Sequence, residues 1–172
     1  SMQKLLQQLM ALAQFDAGKG IVMQEPVDLQ QLVEGCIQQI KPFAEEEGVA
    51  ISQELGHAES IGDADRLSQV VTNLLANAVA YSNERGEIDV SLRSEDGSVF
   101  VEISDNGIGM AEEDVPHIFE RFYRADKSRS GEGDHSGLGL PICKEIVEAN
   151  RGDIAVESTL GEGAKFTVRL PS

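Results

Sequence analysis

Hydrophobic residues recur along most of the chain with the three- and four-residue spacing of amphipathic helices. This spacing predicts helices over residues 29–47, 64–82 and 138–149, and Asp28 and Asp63 are placed to cap the first two. Shorter runs alternate in the two-residue pattern of strands, at residues 49–55, 87–93, 99–104, 154–157 and 165–170. Because helices and strands mix without strict alternation, the pattern predicts an α+β two-layer sandwich.

The first 20 residues form a separate short unit. Apolar residues within residues 2–15 lie at heptad spacing, which is typical of a helix that packs against a partner helix. A glycine-rich break over residues 16–20 follows. We therefore expect the end of a helical stalk, a short linker and then one further domain.

Composition narrows the choice of partners. The chain has 172 residues and a formal net charge of -16, which argues against nucleic acid or anionic lipid as partners. No apolar run approaches the ~20 residues of a membrane span, so a soluble protein is expected. Cys36 and Cys143 lie far apart within apolar helical stretches, which indicates buried, reduced thiols and a cytosolic setting.

The helix predicted over residues 64–82 carries an unusual polar stripe, the asparagine stripe. Asn73, Asn77 and Tyr81 follow one another at four-residue intervals, beside the apolar stripe of the same helix. Asparagine is a poor helix former, so two of them one turn apart carry a local cost. They either face solvent or a backbone group, or their amides face a ligand or a hard cation such as Mg²⁺.

Two glycine-rich motifs follow. Asp105, Gly107 and Gly109 come directly after a predicted strand, where glycines let a ligand approach the backbone closely. Gly137 and Gly139 precede the last helix, whose N-terminus is a candidate phosphate site. Taken alone, the first motif also fits a plain turn. Neither a P-loop nor a dinucleotide-binding glycine motif is present.

Positive charge gathers between these two motifs. Residues 121–129 hold four bases and one acid, in a protein of strongly negative net charge. Local positive charge beside a glycine-rich loop suits a polyphosphate ligand, although chance clustering in a solvated loop is the alternative. Residues 128–136 are a candidate lid over such a site.

In this order the motifs resemble the N, G1, F and G2 boxes of sensor histidine kinases. These kinases belong to the nucleotide-binding superfamily that includes gyrase, Hsp90 and MutL. The resemblance covers roughly residues 24–171, including a closing strand after Gly161. The matching motifs are Asn73-Leu-Leu-Ala-Asn77-Ala, Asp105-x-Gly107-x-Gly109, Phe119-Glu-Arg-Phe122-Tyr-Arg124 and Gly137-Leu-Gly139-Leu.

The resemblance implies a division of the chain and a fold. Residues 1–18 would be the end of the second helix of a dimerisation and phosphotransfer domain, residues 19–23 a linker, and residues 24–172 the ATP-binding catalytic domain. The implied fold is a Bergerat-type sandwich, with a mixed, mostly antiparallel sheet on about three helices and a mobile ATP lid.

The resemblance also implies roles for single residues. Asp105 would accept a hydrogen bond from the adenine amino group, and Tyr81 would pack near the base. Asn77 would coordinate Mg²⁺, and Asn73 would lie beside the metal or the phosphates as a catalytic residue. Arg124 would reach the γ-phosphate as a second catalytic residue. Phe119 and Phe122 would anchor the lid and the docking surface for the helical domain. The other implied nucleotide contacts are Gly107, Gly109, Lys127, Gly137, Leu138 and Gly139.

Two sequence features bear on the reaction. ATP-hydrolysing relatives carry a glutamate where this chain has Asn73, which cannot take a proton from water, so phosphoryl transfer is expected rather than hydrolysis. His57, His117 and His135 lack the sequence context of the family's acceptor histidine. The chain is therefore expected to bind ATP with Mg²⁺ without phosphorylating itself.

The expected partners are the protein's own helical phosphotransfer domain and the receiver domain of a response regulator. The intact protein is expected to be a membrane-anchored homodimer, with this piece as a monomeric, cytoplasmic domain. Two departures from the family, Ala80 and His135, keep alternatives open. These are a regulatory nucleotide-binding module with weak or no kinase activity, and an interaction domain whose asparagines and glycines only pack.

Overall fold

A computed structural model describes residues 23–120 and 139–172 of the chain. Nearly all of the predicted stalk and linker lies outside these ranges. The described helices are α1 (Leu29–Glu46), α2 (Ala64–Ala80) and α3 (Gly139–Ala149), with a short 3₁₀ turn at Val115–His117. The strands are β1 (Glu25–Asp28), β2 (Ala50–Leu55), β3 (Glu59–Gly62), β4 (Glu87–Glu95), β5 (Ser98–Asp105), β6 (Asp153–Thr159) and β7 (Gly163–Pro171).

Five strands form the main sheet in the order β2-β4-β5-β7-β6. The edge strand β2 is parallel to β4, and the other pairs are antiparallel. Asp96 and Gly97 join β4 to β5 with φ values of 50° and 80°, as in the hairpin turns that match the sheet twist. This mixed, mostly antiparallel sheet under three helices confirms the predicted two-layer α+β sandwich.

The helices begin and end at signals present in the sequence. Asp28 caps α1 and Asp63 caps α2, each accepting a hydrogen bond from the backbone N–H three residues on. The helix α1 continues through Pro42 and ends before Gly48, which has a φ of 74°. The N–H of Val49 then bonds the carbonyl of Ala44 at 2.8 Å, which satisfies this acceptor of the last turn.

The core lies between the helical layer and one face of the main sheet. The apolar stripes of all three described helices are buried there, as the spacing predicts. Cys36 and Cys143 are both buried free thiols, as the apolar helical stretches around them predict. Burial raises the pKa of both thiols, and that of Cys143 reaches about 12 although the nearby Asn73 side chain acts to lower it.

A second, two-stranded sheet was not predicted. β1 pairs antiparallel with β3, with Pro26 opposite Ile61. Each strand has only four residues, and their pairing joins segments more than 30 residues apart, which a local pattern does not reveal. Within residues 23–120 and 139–172, no helix is long and apolar enough to cross a membrane.

Candidate functional site

The asparagines of α2 differ in their surroundings. Asn73 is only 5 % exposed, and its Nδ2 atom has no hydrogen-bond partner among the described residues. It lies close enough to the Cys143 thiol to favour the thiolate, although the contact falls short of a hydrogen bond. Asn77, one turn on, is half-buried. A buried, unpaired amide is costly, which singles out Asn73 as a group suited to a ligand.

The helix α3 runs antiparallel to α2. At one end of the pair the N–H of Asp63 bonds Asn150 Oδ1 at 2.9 Å, and further along Cys143 Sγ contacts the carbonyl of Val70 at 3.9 Å. The Cys143 thiol also lies near the Asn73 side chain, so the first half of α3, which begins at Gly139, packs against the part of α2 that carries Asn73. The described start of α3 therefore lies near the asparagine stripe, as a phosphate site at this helix requires.

Asp105 ends β5, opposite Ala164 of β7 and Ile88 of β4. Its Oδ1 accepts a hydrogen bond from the N–H of Gly107 at 2.8 Å. Burial raises the pKa of this carboxyl, and hydrogen bonds from the N–H groups of Gly107 and Ala164 act in the opposite direction. The carboxylate is thus fixed by the backbone on both sides, with acceptor capacity left over for a ligand donor.

Residues 105–110 form the glycine loop, and neither Gly107 nor Gly109 in this loop has room for a side chain. A Cβ on Gly107 would lie 2.3 Å from the carbonyl oxygen of Tyr81, and one on Gly109 would lie 2.1 Å from that of Thr159. Gly109 also has a φ of 67°, which disfavours any other residue. Both predicted glycines are therefore required by the close approach of neighbouring backbone.

Hydrogen bonds fasten the loop to α2 and to the turn between β6 and β7. The N–H of Ile108 bonds the carbonyl of Tyr81 at 3.1 Å, and the N–H of Gly161 bonds the carbonyl of Ile108 at 2.7 Å. Tyr81, at the end of α2, therefore joins the asparagine stripe to the glycine loop. The asparagine stripe and the glycine loop, which are far apart in sequence, therefore lie side by side.

Phe119 lies at the end of the first described range. Its ring meets that of Phe166 on β7 edge-on, with the centroids 6.4 Å apart. Lys144 Nζ lies 5.6 Å from the centre of the same ring. Phe119 thus anchors the start of the segment that leads to residues 121–138, next to α3.

The side chains of the candidate site could hold Mg²⁺ through one or two oxygens, but they could not enclose it. The described residues hold no cluster of three or more His, Cys, Asp or Glu that could form a metal cage. The Asn77 side chain makes no hydrogen bond with another described residue, so its amide oxygen is available. Mg²⁺ often takes one or two protein oxygens and completes its shell with water and substrate phosphates, which is the arrangement this donor set allows.

The structure therefore brings together six of the predicted residues, whereas Phe119 packs against Phe166 of β7 and Lys144 of α3. The six are Asn73, Asn77, Tyr81, Asp105, Gly107 and Gly109, and Gly139 starts the adjoining helix. Sequence reasoning missed Ser158, which contacts the loop, although a serine at an inward position of a strand was a usable signal. Phe122, Arg124, Lys127, Gly137 and Leu138 lie outside the described residues, as does His135.

Residues 62–172 match the family described as histidine kinase-, DNA gyrase B-, and HSP90-like ATPase. The chain belongs to this family. The matched range begins at the end of β3 and holds every described residue of the candidate site.

Among members of this family, the chain is similar to sensor histidine kinases. It is 37% identical over 145 residues to the sensor histidine kinase RppB of Synechocystis, covering 83% of this chain and 32% of that protein. It is 33% identical over 169 residues to the sensor histidine kinase YkoH of Bacillus subtilis, covering 98% and 36% respectively. The chain thus spans about a third of the length of these relatives.

Solved structures of this type agree with the fold. The mycobacterial sensor histidine kinase MprB matches with a TM-score of 0.76 and 27% identity, over 87% of this chain and 97% of that chain. Full-length ShkA, solved in complex with AMPPNP, matches with a TM-score of 0.75 and 30% identity, over 86% and 31% respectively. The chain is an ATP-binding catalytic domain of the two-component histidine kinase type.

Proposed function

We propose that this domain binds ATP with Mg²⁺ and transfers the γ-phosphoryl group to a histidine of a helical phosphotransfer domain. The observation that carries the proposal is the Asp105 carboxyl, which two backbone N–H groups fix beside glycines that admit no side chain. A fixed acceptor next to bare backbone suits a flat base that carries an amino group. Guanine presents a carbonyl oxygen at that position and would be disfavoured.

The phosphates would lie toward α2 and the start of α3. The buried amide of Asn73 would donate to a phosphate oxygen or an ordered water, and the half-buried Asn77 would offer its oxygen to Mg²⁺. Bound Mg²⁺ would neutralise part of the phosphate charge, which matters in a chain of net charge -16. In this role the domain positions the nucleotide and stabilises charge.

Transfer is favoured over hydrolysis by the chemistry of residue 73. An amide has no basic site that could take a proton from an attacking water, so the described part of α2 offers no general base here. A histidine supplied by another domain is itself a nucleophile and needs no such help. We further propose that the whole protein is a membrane-anchored dimer that passes the phosphoryl group to a response regulator receiver domain.

One observation keeps a second function in view, that of a regulatory nucleotide-binding module with weak or no kinase activity. The last turn of α2 carries no basic residue, and Ala80 stands at the position where many relatives have a phosphate-contacting lysine. Weaker phosphate binding would follow. Both functions require the adenine site, so only a measurement of transfer separates them.

The first experiment is calorimetric titration with ATP, ADP and GTP in the presence of Mg²⁺. Wild type is expected to prefer ATP over GTP, and Asp105→Asn to weaken ATP binding by tenfold or more, since a hydrogen bond to a charged group contributes about 1.5–3 kcal/mol. Asp153→Asn, the same change at an exposed carboxylate on β6, is the matched control. Equal affinity of wild type for ATP and GTP would contradict the proposal.

The second experiment supplies the missing acceptor. The domain is incubated with ATP and a separately produced helical domain that carries a phosphorylatable histidine. The expected result is phosphohistidine on that domain, formed more slowly with Asp105→Asn than with wild type when ATP is kept near the wild-type Kd. Tight ATP binding without any transfer would favour the regulatory module.

A further inference from the structure

The Ser158 hydroxyl joins two backbone segments of the candidate site. Its oxygen accepts a hydrogen bond from the N–H of Met110 at 2.8 Å, and its proton goes to the carbonyl of Gly163, also at 2.8 Å. Met110 ends the glycine loop, and Gly163 begins β7. One small side chain therefore uses both its donor and its acceptor to hold the loop against the sheet.

The segments that Ser158 joins are those that fix Asp105. The carboxyl of Asp105 is held by N–H groups of Gly107, within the loop, and of Ala164, next to Gly163 on β7. Ser158 stands opposite Ala164 in the pairing of β6 with β7. It thus acts on Asp105 through both neighbours of the carboxyl, and no hydrogen bond runs from Ser158 to Asp105 itself.

The hydrogen bonds of Ser158 matter because glycines bring the glycine loop and β7 into direct backbone contact. A Cβ on Gly163 would lie 1.9 Å from the carbonyl oxygen of Asp105, so loop and strand touch backbone to backbone. At these glycines no side chain fills the gap, so the spacing depends on hydrogen bonds and on the packing of neighbouring residues. The backbone ties from Ile108 to Tyr81 and from Gly161 to Ile108 do not involve Ser158. Nor do the bonds of Asn106 with the N–H of Glu87 and with the side chain of Asn83. A mutation at Ser158 can therefore remove one tie and leave these in place.

We propose that Ser158 is a positioning residue for adenine recognition, because its hydroxyl sets the spacing between the glycine loop and β7 and so holds the Asp105 carboxyl where the base is recognised. This inference rests on the proposed ATP-binding function. It predicts that loss of the hydroxyl changes the choice between bases in addition to the stability of the fold.

The chain offers a matched control in Ser60. Its hydroxyl donates to the carbonyl of Pro171, at the opposite end of β7. Ser60→Ala therefore removes a serine hydroxyl bound to the same strand, far from the loop. Ser158→Ala removes the tie, and Ser158→Thr retains the hydroxyl.

The experiment measures ATP and GTP affinity by calorimetry for wild type and the three variants, thermal midpoints, and amide hydrogen exchange at Met110. Ser158→Ala is expected to weaken ATP binding about three- to tenfold, the range set by one neutral hydrogen bond, and to lower the ATP-to-GTP preference. Exchange at Met110 should accelerate. Ser158→Thr should match wild type, and Ser60→Ala should lower the midpoint without changing the preference.

Three results for the affinities of the variants would overturn the inference. One is a Ser158→Ala variant whose affinity and base preference equal those of wild type. Another is a Ser60→Ala variant that changes the preference as much, and a third is a Ser158→Thr variant as impaired as Ser158→Ala. If wild type shows no preference for adenine, the proposed function fails together with this inference, whereas unchanged exchange at Met110 would contradict the inference alone.

Discussion

Polar side chains are buried at both ends of the antiparallel pair α2–α3. They are fully hydrogen-bonded at one end and only partly at the other. At the end formed by the start of α2, Asn150 accepts from the N–H of Asp63 at 2.9 Å and donates to the carbonyl of Ile146 at 2.8 Å. Asp63 also accepts from the N–H of Met23 and pairs with Arg66. At the other end, Asn73 is also buried, and its Nδ2 atom has no hydrogen-bond partner within the described residues.

This contrast separates stability from function within one pair of helices. Buried polar groups that satisfy each other stabilise a fold, whereas an unsatisfied one costs free energy. The Asp63–Asn150 end therefore holds the helices together, and the Asn73 end remains open to a ligand. The same substitution, asparagine to alanine, can be made at both ends and compared directly.

The largest expected effect is that of Asn150→Ala. It leaves the N–H of Asp63 unpaired in a site that is 1% exposed, whereas the carbonyl of Ile146 keeps its bond from the backbone N–H of residue 150. The free energy of unfolding should fall by about 2–3 kcal/mol. Urea unfolding measures this loss. ATP affinity, measured where the variant is folded, should stay within about twofold of wild type. A matching loss of affinity would show that the two ends are coupled.

Asn73→Ala should change stability far less. No described hydrogen bond is lost at Nδ2, and alanine favours a helix over asparagine by roughly half a kcal/mol, which offsets the small cavity. The expected change in unfolding free energy is within about 1 kcal/mol of zero. The rate of phosphoryl transfer from ATP to a supplied helical domain should fall strongly. A loss of stability as large as that of Asn150→Ala would mean that Asn73 is structural.

Asp105→Asn should show a smaller, pH-dependent effect on stability. Burial raises the pKa of Asp105 in the folded state, so between the ordinary value of about 3.9 and the raised value the folded protein holds more protons than the unfolded chain. Wild type therefore loses stability as pH rises through this window, and the variant does not. Unfolding measured from about pH 3.5 to 7 should show the variant gaining relative to wild type. A relative gain toward low pH would contradict the raised pKa.

The smallest effect on stability is expected for Asn77→Ala. The side chain is half-buried and makes no hydrogen bond with the described residues, so the change should be within about 0.5 kcal/mol. Its effect should appear in binding instead. Mg²⁺ is expected to strengthen ATP binding by wild type and not by the variant, when titrations with and without Mg²⁺ are compared. An undiminished Mg²⁺ effect would exclude Asn77 as a ligand.

Local patterns were sufficient for most of the fold. The predicted helix over residues 29–47 is Leu29–Glu46, and that over residues 64–82 is Ala64–Ala80, because capping aspartates and apolar spacing are both local signals. β1 and β3 were missed because each is four residues long and is stabilised by its distant partner. Strands this short carry too few positions for alternation to be recognised.

The site was predictable where a motif carried it. Asp105, Gly107 and Gly109 stand within five residues of one another, and close backbone contacts explain each glycine. Ser158 and Asn150 were not predicted, because their roles come from contacts 48 and 87 residues away. The predicted roles of Phe122, Arg124, Lys127, Gly137 and Leu138 stay predictions.

The two buried thiols give experimental access to motions of the helical layer. Cys36 Sγ contacts the carbonyl of Ser68 across the α1–α2 boundary, and Cys143 Sγ contacts that of Val70 across the α3–α2 boundary. Buried thiols of raised pKa react with labelling reagents only when the surrounding structure opens. Labelling rates, resolved by mass spectrometry, would therefore time the opening of each boundary separately. ATP should slow the labelling of Cys143 more than that of Cys36, because α3 begins beside the asparagine stripe.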